Sequence, residues 1–483
     1  MTSEYEAAIG MEVHAELLTE SKMFCSCRNA FGGEPNTRCC PVCVGMPGAL
    51  PVANRRAVEH VIRTALALNC SINAVARFDR KNYFYPDLPK GYQISQYDQP
   101  IGVGGWLDIE TSAGVRRVRI RRVHLEEDTG KLMHLPAGDS AVDYNRSGVP
   151  LMEIVTEFPP DMRSAEEARA YLVGLRAILM YIGVSDGRME EGSLRCEPNV
   201  SVRPIGSDQF GTKTEIKNLN SFRAVERGIA HEIERQIDVL RGGGKVRQET
   251  RGWNEARQET VVQRSKEEEQ EYRYFPDPDL VPLRLDDAWV ESIRSTMPEL
   301  PDQARRRLIA AHGISEKEAA WLTQTPFHAA YFDQAVRFHN APEQIASWLM
   351  GDFARLLNVT QMGLEQSKVT PDNLASLVRL VDSGQISGKM AKAIFERMFE
   401  TGAAATDIAQ EMGGQISDPQ AIRTLVEEVR AAEPDVWDAL RNGDTKKTTY
   451  VIGQVMRLSR GKANPQETRR IVEEMLAAPE TAS

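Results

Sequence analysis

The 483-residue sequence has no apolar run approaching the roughly 18 residues that a bilayer-spanning helix needs, so no transmembrane helix is expected. Met1 to Glu6 is polar and lacks the basic-then-apolar layout of a secretory leader, which makes the cytoplasm the expected compartment. Positive charge is also in short supply. With 59 Lys and Arg against 69 Asp and Glu, the formal charge is −10, which excludes a surface generally coated with nucleic acid and confines any RNA contact to local patches. There is no Gly-x-x-x-x-Gly-Lys-Ser/Thr loop, no dinucleotide fingerprint and no His-Glu-x-x-His pair, so P-loop, Rossmann and zincin chemistries are disfavoured. No internal repeat is visible.

What is present begins with cysteine. Seven are an odd number, and the segment Cys25 to Cys43 holds five of them, a layout that suits a metal knuckle in a reducing compartment better than a disulfide framework. Cys25, Cys27, Cys40 and Cys43 form C-x-C-x12-C-x2-C, two tight pairs able to close a tetrahedral thiolate site for structural zinc. Cys39, adjacent to Cys40, is the expected spectator. The alternative is a set of unligated thiols.

Length predicts two to four domains. Residues 1–292 carry short alternating segments, turn residues and aromatic-proline punctuation, with helices expected over 54–68, 164–182 and 221–240; this reads as a β-rich, mostly antiparallel α+β domain. Helical periodicity then takes over in a second domain, 293–405, with helices expected over 315–322, 341–357, 371–382 and 387–399. A small helical tail domain, 406–483, follows, with helices over 417–430, 433–442, 448–459 and 464–476.

The chemistry sits in polar rows on alternating segments. In Ile9-Gly10-Met11-Glu12-Val13-His14-Ala15-Glu16-Leu17 a strand would bury the odd positions and project Glu12, His14 and Glu16 together, either as a solvated face or as metal ligands. His124-Leu125-Glu126-Glu127-Asp128 crowds three carboxylates beside a histidine, which is costly unless a cation neutralises them. Glu153, in the apolar run Val149 to Val155, needs a partner of its own. Arg195, Glu197, Asn199, Ser201 and Arg203 share one face and suit either an anionic ligand or a cross-strand ladder of ion pairs. Lys213, Glu215 and Lys217 precede a helix cap, where basic groups favour phosphate. Between Asp79 and Tyr92, Lys81 and Lys90 interleave with aromatics, which suits base stacking or ordinary packing at a domain edge. Together these rows point to Mg2+-assisted phosphoryl transfer on a scaffold without a P-loop.

The stretches G-M-E-V-H-A-E-L, F-D-R-K-N-Y-F-Y-P-D-L-P-K-G-Y-Q-I-S-Q, H-L-E-E-D-T-G-K, N-R-S-G-V-P-L-M-E-I-V, M-E-E-G-S-L-R-C-E-P-N-V-S and F-G-T-K-T-E-I-K-N-L-N-S-F resemble the B subunits of tRNA-dependent amidotransferases, the GatB/GatE family. The resemblance runs from about residue 5 to residue 478, and no inserted domain of the GatE kind is visible. It implies a cradle domain that binds ATP and Mg2+ and phosphorylates the side-chain carboxylate of misacylated Glu-tRNA(Gln), and in many members Asp-tRNA(Asn). Ammonia from an amidase subunit, GatA, then displaces phosphate, and a small subunit, GatC, completes a heterotrimer. It implies His14, Glu127 and Glu153 as Mg2+ ligands, with Glu12 a ligand or next to one. Arg195, Glu197, Asn199, Lys213 and Lys217 would serve ATP or the acyl phosphate, and Lys81 and Lys90 are weaker candidates for the same work. The knuckle resembles the zinc-binding form of the family, and the tail resembles its YqeY-like domain. From Arg441 to Arg470 the tail carries eight basic and two acidic residues, either a footprint for tRNA backbone or an ordinary charged helical surface. Two rival readings are a zinc-stabilised tRNA scaffold without chemistry and a metal-dependent hydrolase built on Glu12 and His14; the facing Arg and Lys residues weigh against the second.

Overall fold

A computed structural model describes residues 4–135, 138–265, 271–412, 418–459 and 462–477. The chain separates into two compact units, Met1–Pro301 and Asp302–Ser483.

The first unit is built on a nine-stranded sheet. Its strands, in chain order, are β1 (Tyr5–Glu16), β2 (Ser71–Ile72), β3 (Gly102–Thr111), β4 (Gly114–Glu127), β5 (Pro150–Thr156), β6 (Leu194–Pro204), β7 (Thr214–Lys217), β8 (Glu249–Asn254) and β9 (Glu259–Ser265). In space they lie in the order β9-β8-β7-β6-β1-β5-β4-β3-β2, so β1, first in sequence, is central. All neighbouring pairs are antiparallel except β7 and β8, whose parallel pairing requires a crossover. The helix Phe222–Arg241 lies in that connection, started by Ser221, whose hydroxyl accepts the Ala224 N–H.

Period-two alternation divides the sheet's faces. Ile9, Met11, Val13 and Ala15 of β1 are almost completely buried in the core, which also holds Val58, Val61 and Ile62 of the helix Arg55–Ala67 and Tyr171, Leu172 and Leu175 of the helix Ala165–Tyr181. The even positions of β1 are left on the other face. A three-stranded sheet of Asp79–Asn82, Tyr92–Ser95 and Phe275–Pro276 reaches the C-terminal end of β4.

The second unit is helical. Its buried apolar residues form two clusters, one from Leu308 to Ala409 around Phe332, Phe353 and Phe395, the other from Ile422 to Met475 around Val426, Trp437 and Val455. Among the described residues, four α-helices that the sequence patterns did not predict are present: Asp287–Arg294 in the first unit, Pro301–His312, which begins at that unit's last residue, and Pro326–Phe338 and Ala405–Glu411 in the second. Among the described residues no helix is long and apolar enough to cross a membrane.

Candidate functional site

Strand register sets four side chains abreast. His14 of β1 pairs with Glu153 of β5 on one side and with Arg195 of β6 on the other, and Glu153 in turn pairs with His124 of β4. Residues directly opposite one another in adjacent strands project to the same face, so the row needs no loop to assemble it. Glu126, two positions beyond His124, joins them. Its Oε1 lies 3.4 Å from His14 Nε2, Glu153 Oε2 lies 3.9 Å from that nitrogen, and His124 Nε2 sits 3.0 Å from Glu153 Oε2. The Ser95 hydroxyl donates to Glu126 at 3.1 Å.

His14, Glu126 and Glu153 each offer one donor atom, all within 4.8 Å of one another. Two carboxylates and an imidazole in a largely buried setting fit a divalent cation. Burial acts to raise the Glu153 carboxyl, but the neighbouring His124, His14 and Lys81 outweigh it and hold the group below the usual carboxylate range. Glu126 is likewise held down against burial, chiefly by a hydrogen bond with His124. Both shifts favour the anionic form that a metal ligand requires.

The geometry corrects two expectations. Glu127 does not meet His14: as the neighbour of Glu126 in a strand it projects to the opposite face, where it forms a buried ion pair with Lys90 and accepts the Ile94 N–H at 3.0 Å. Lys90 is thereby withdrawn from the anion-binding row. Glu126, not Glu127, completes the cluster, and the alternation of Val123 and Leu125 into the core carried that information, since Glu127 falls in their phase.

The remaining expected residues stay on the open face. Asn199 donates to Glu12 at 3.1 Å, and Lys217 bridges Glu197 at 2.9 Å and Glu215 at 3.2 Å. Burial, then Glu153 and Glu197, push the Glu12 carboxyl upward. Lys213 is exposed and joins Gly10, Glu12, Arg121, Asn199 and Phe210 around a cavity of about 410 Å³. Lys81 packs its ammonium 4.9 Å from the Tyr272 ring; burial opposes its charge, but Glu126, Tyr274 and Glu153 overcome this and keep it protonated.

Sequence reasoning also missed the neighbouring ion-pair group. Arg195 is paired with Asp128, whose other oxygen faces Arg146 at 3.7 Å, and burial together with Asp128 raises Glu16 to about 8. The folded carboxyl thus retains a proton that an unfolded chain, titrating near 4.5, releases, so Glu16 costs stability increasingly as pH rises from about 4.5 to 8. Glu16→Gln should raise Tm at pH 8 more than at pH 5 in thermal melts; an equal shift at both would show that the carboxyl carries no such proton.

The knuckle follows the C-terminal end of β1, close to Lys90 and Glu127. The sulfurs of Cys25, Cys27, Cys40 and Cys43 fall within 4.8 Å of one another, and Cys39 is not among them. Cys43 accepts the Cys40 backbone N–H at 3.0 Å. A hydrogen bond from Cys25, against the effect of burial and aided by that N–H and by Lys22, brings the Cys43 thiol down to about 4. The set fits a tetrahedral thiolate centre.

The chain is similar to known proteins along almost its whole length. Residues 7–291 match the model of the GatB/GatE catalytic domain, and residues 330–476 match that of the GatB domain. The B subunit of the aspartyl/glutamyl-tRNA(Asn/Gln) amidotransferase of Moorella thermoacetica is 54% identical over 477 residues, covering 98% of this chain and 100% of the relative. Proteins of the same description from Thermoanaerobacter pseudethanolicus and Brevibacillus brevis are 51% and 50% identical, each over 98% of this chain and 100% and 99% of their own lengths.

Proposed function

Since this chain belongs to the GatB/GatE family, we propose that it is the B subunit of a tRNA-dependent amidotransferase and that the open face of its sheet phosphorylates the side-chain carboxylate of a misacylated tRNA. The observation that carries this reading is the His14, Glu126 and Glu153 cluster, set on the same face as Arg195 and Lys217, with Lys81 of the three-stranded sheet beside Glu126 and Glu153 and Lys213 across the cavity that Glu12 edges. Mg2+ held by those three groups would supply positive charge to the phosphates of ATP.

The substrate is glutamyl-tRNA(Gln), aspartyl-tRNA(Asn) or both. The side-chain carboxylate is ionised near pH 7 and is already a nucleophile, so the site has no need of a strong general base. Its oxygen attacks the γ-phosphorus and ADP leaves. Ammonia then attacks the acyl carbon, phosphate departs, and the surplus proton passes to phosphate or water. The chain's own groups align and neutralise: Lys81 is a cation fixed against an aromatic wall, Arg195 is held by Asp128, and Glu12, Asn199 and Lys213 edge a cavity large enough for part of a nucleotide. Glu197 and Lys217, tied to each other, flank that cavity's strand. His124 orients Glu153 and Glu126 from behind.

Ammonia must come from elsewhere, so the complex includes an amidase subunit, GatA, and the small subunit GatC, assembled in the cytoplasm. The chain reads as a catalytic domain, 1–292, a helical domain, 293–405, and a tRNA-binding tail, 406–483, with both boundaries shifted C-terminally: Ile293 joins the core of the first unit, which runs to Pro301, and Ile408 and Ala409 join the first helical cluster. The Cys25, Cys27, Cys40 and Cys43 group binds zinc as a structural ion, since four thiolates leave no coordination position for chemistry. Elemental analysis should find about one zinc per chain, and Cys40→Ser should lose it; a metal-free wild type of equal stability would contradict this. The reading as a whole is tested by amidation of both misacylated tRNAs by the reconstituted trimer with and without ATP, where activity independent of ATP would refute it.

A further inference from the structure

Lys22 is a fully buried lysine, with no exposed side-chain surface. Its ammonium donates to the Tyr144 carbonyl at 3.2 Å, and among the described residues no carboxylate comes within ion-pair distance of it. Asp143, the acid beside Tyr144, is engaged elsewhere, accepting the backbone N–H groups of Asn36 at 3.0 Å and Asn145 at 2.9 Å. A neutral carbonyl does not offset the cost of removing an ammonium from water; a buried cation requires an anion.

The surroundings of Lys22 are the knuckle. Its backbone N–H donates to the Cys27 carbonyl at 2.9 Å, beside the bridge between Ser21 and Arg28, so residue 22 stands across a tight turn from a thiol ligand. Met23 N–H donates to the Gly148 carbonyl at 2.7 Å. Gly148, at φ 80°, is where the two side chains converge: a Cβ there would lie 3.4 Å from Cys43 Cβ and 3.7 Å from Lys22 Cδ. The Ser147 hydroxyl donates to the Cys43 carbonyl at 2.8 Å, fixing the same turn under the cysteine. Lys22 and Cys43 therefore share one buried wall.

A divalent ion with four thiolates carries two net negative charges, and Cys43, the buried one of the four cysteines, would bring part of that charge out of water on the wall it shares with Lys22. We propose that Lys22 is the built-in counter-charge of the tetrathiolate centre, a positioning residue that ligates nothing yet sets how tightly the knuckle holds its metal. The inference rests on the reading of the four cysteines as a metal site. It goes beyond an outer shell of hydrogen-bond donors such as the Cys40 N–H on Cys43, because here a whole cation is buried beside that cysteine.

The test measures Zn2+ affinity of the full-length chain by chelator competition, with the thiolate-to-metal charge-transfer bands of the Co2+ form as a second readout. Lys22→Gln keeps a donor for the Tyr144 carbonyl while removing the charge, Lys22→Met is a second neutral variant, and Lys22→Arg keeps the charge. The neutral variants should bind Zn2+ about 10- to 100-fold more weakly, and Lys22→Arg should stay much closer to wild type. Neutral variants that bind as tightly as wild type would overturn the proposal, as would an equal loss in Lys22→Arg, which would assign the effect to packing. A wild-type chain that binds neither Zn2+ nor Co2+ would instead refute the metal-site reading itself.

Discussion

Glu126→Gln should lower ATP-dependent amidation by about 10²-fold or more, the scale of losing one group aimed at developing charge, and should raise the Mg2+ concentration required. Glu127→Ala should do something different: remove one partner of a buried ion pair, leave Lys90 uncompensated and destabilise the first unit by about 3–5 kcal/mol, without moving the Mg2+ dependence of the folded fraction. The two residues are sequence neighbours, both acidic and both buried, so nothing but the side of the sheet distinguishes them. Glu126 faces His14 at 3.4 Å, whereas Glu127 faces Lys90 and the Ile94 N–H. His14→Ala should behave like Glu126→Gln, and the glutaminase activity of the amidase partner should persist in both, since neither change touches the helix-backed core. Mg2+ titrations of amidation, paired with thermal melts, check both expectations; a shifted Mg2+ dependence in Glu127→Ala with none in Glu126→Gln would reverse the assignment.

The second large effect is expected in the tail. Lys446, Lys447 and Arg457 are exposed along the helix Lys446–Leu458, and no acidic side chain is paired with them among the described residues. If each contacts a phosphate, replacing all three with Ala should reduce the slope of log affinity against log salt by up to about 3, and should weaken tRNA binding by about 10²-fold at moderate salt. Arg470 serves as the internal control, because it is already paired with Glu467 and Glu474 and its loss should matter little. Filter binding at several salt concentrations reads both; an unchanged slope in the triple variant would mean an ordinary charged helical surface.

How much of this was legible in the sequence depends on which physical rule was at work. Alternation along β1 places Glu12, His14 and Glu16 on one face, and the fold keeps them there because the odd positions are the core. The helices announced by Asn54, Ser164 and Ser221 begin where those caps sit. By contrast, Pro326–Phe338 went unread because Pro326 looks like a break, although Thr325 caps the helix and proline is favoured in its first turn. The choice of Glu127 over Glu126 failed for a reason internal to β4. Its buried positions run Val118 and Ile120, then Val123 and Leu125, a change of phase where the pairing with β5 is irregular between Val155 and Thr156. Carried on from Val118 and Ile120 the alternation would bury Glu126 and expose Glu127; only the local pair Val123 and Leu125, beyond the bulge, gives the phase that the strand keeps. Partnerships across strands, such as Arg195 with Asp128, are set by register between distant segments and have no local signature. Arg460 and Gly461, part of the basic stretch read from the sequence, lie outside the described residues.

The most direct test of the phosphoryl-transfer site omits the ammonia donor. The reconstituted complex is given misacylated tRNA, Mg2+ and ATP labelled at the γ-phosphate, and hydroxylamine traps the activated side-chain carboxyl as a hydroxamate, counted as the ATP-dependent excess over the α-hydroxamate that hydroxylamine releases from the aminoacyl ester. Wild-type complex should consume ATP and form hydroxamate only when tRNA and Mg2+ are both present, and the His14→Ala and Glu126→Gln complexes should form almost none. Undiminished hydroxamate from either variant would contradict the assignment of phosphoryl transfer to this face of the sheet.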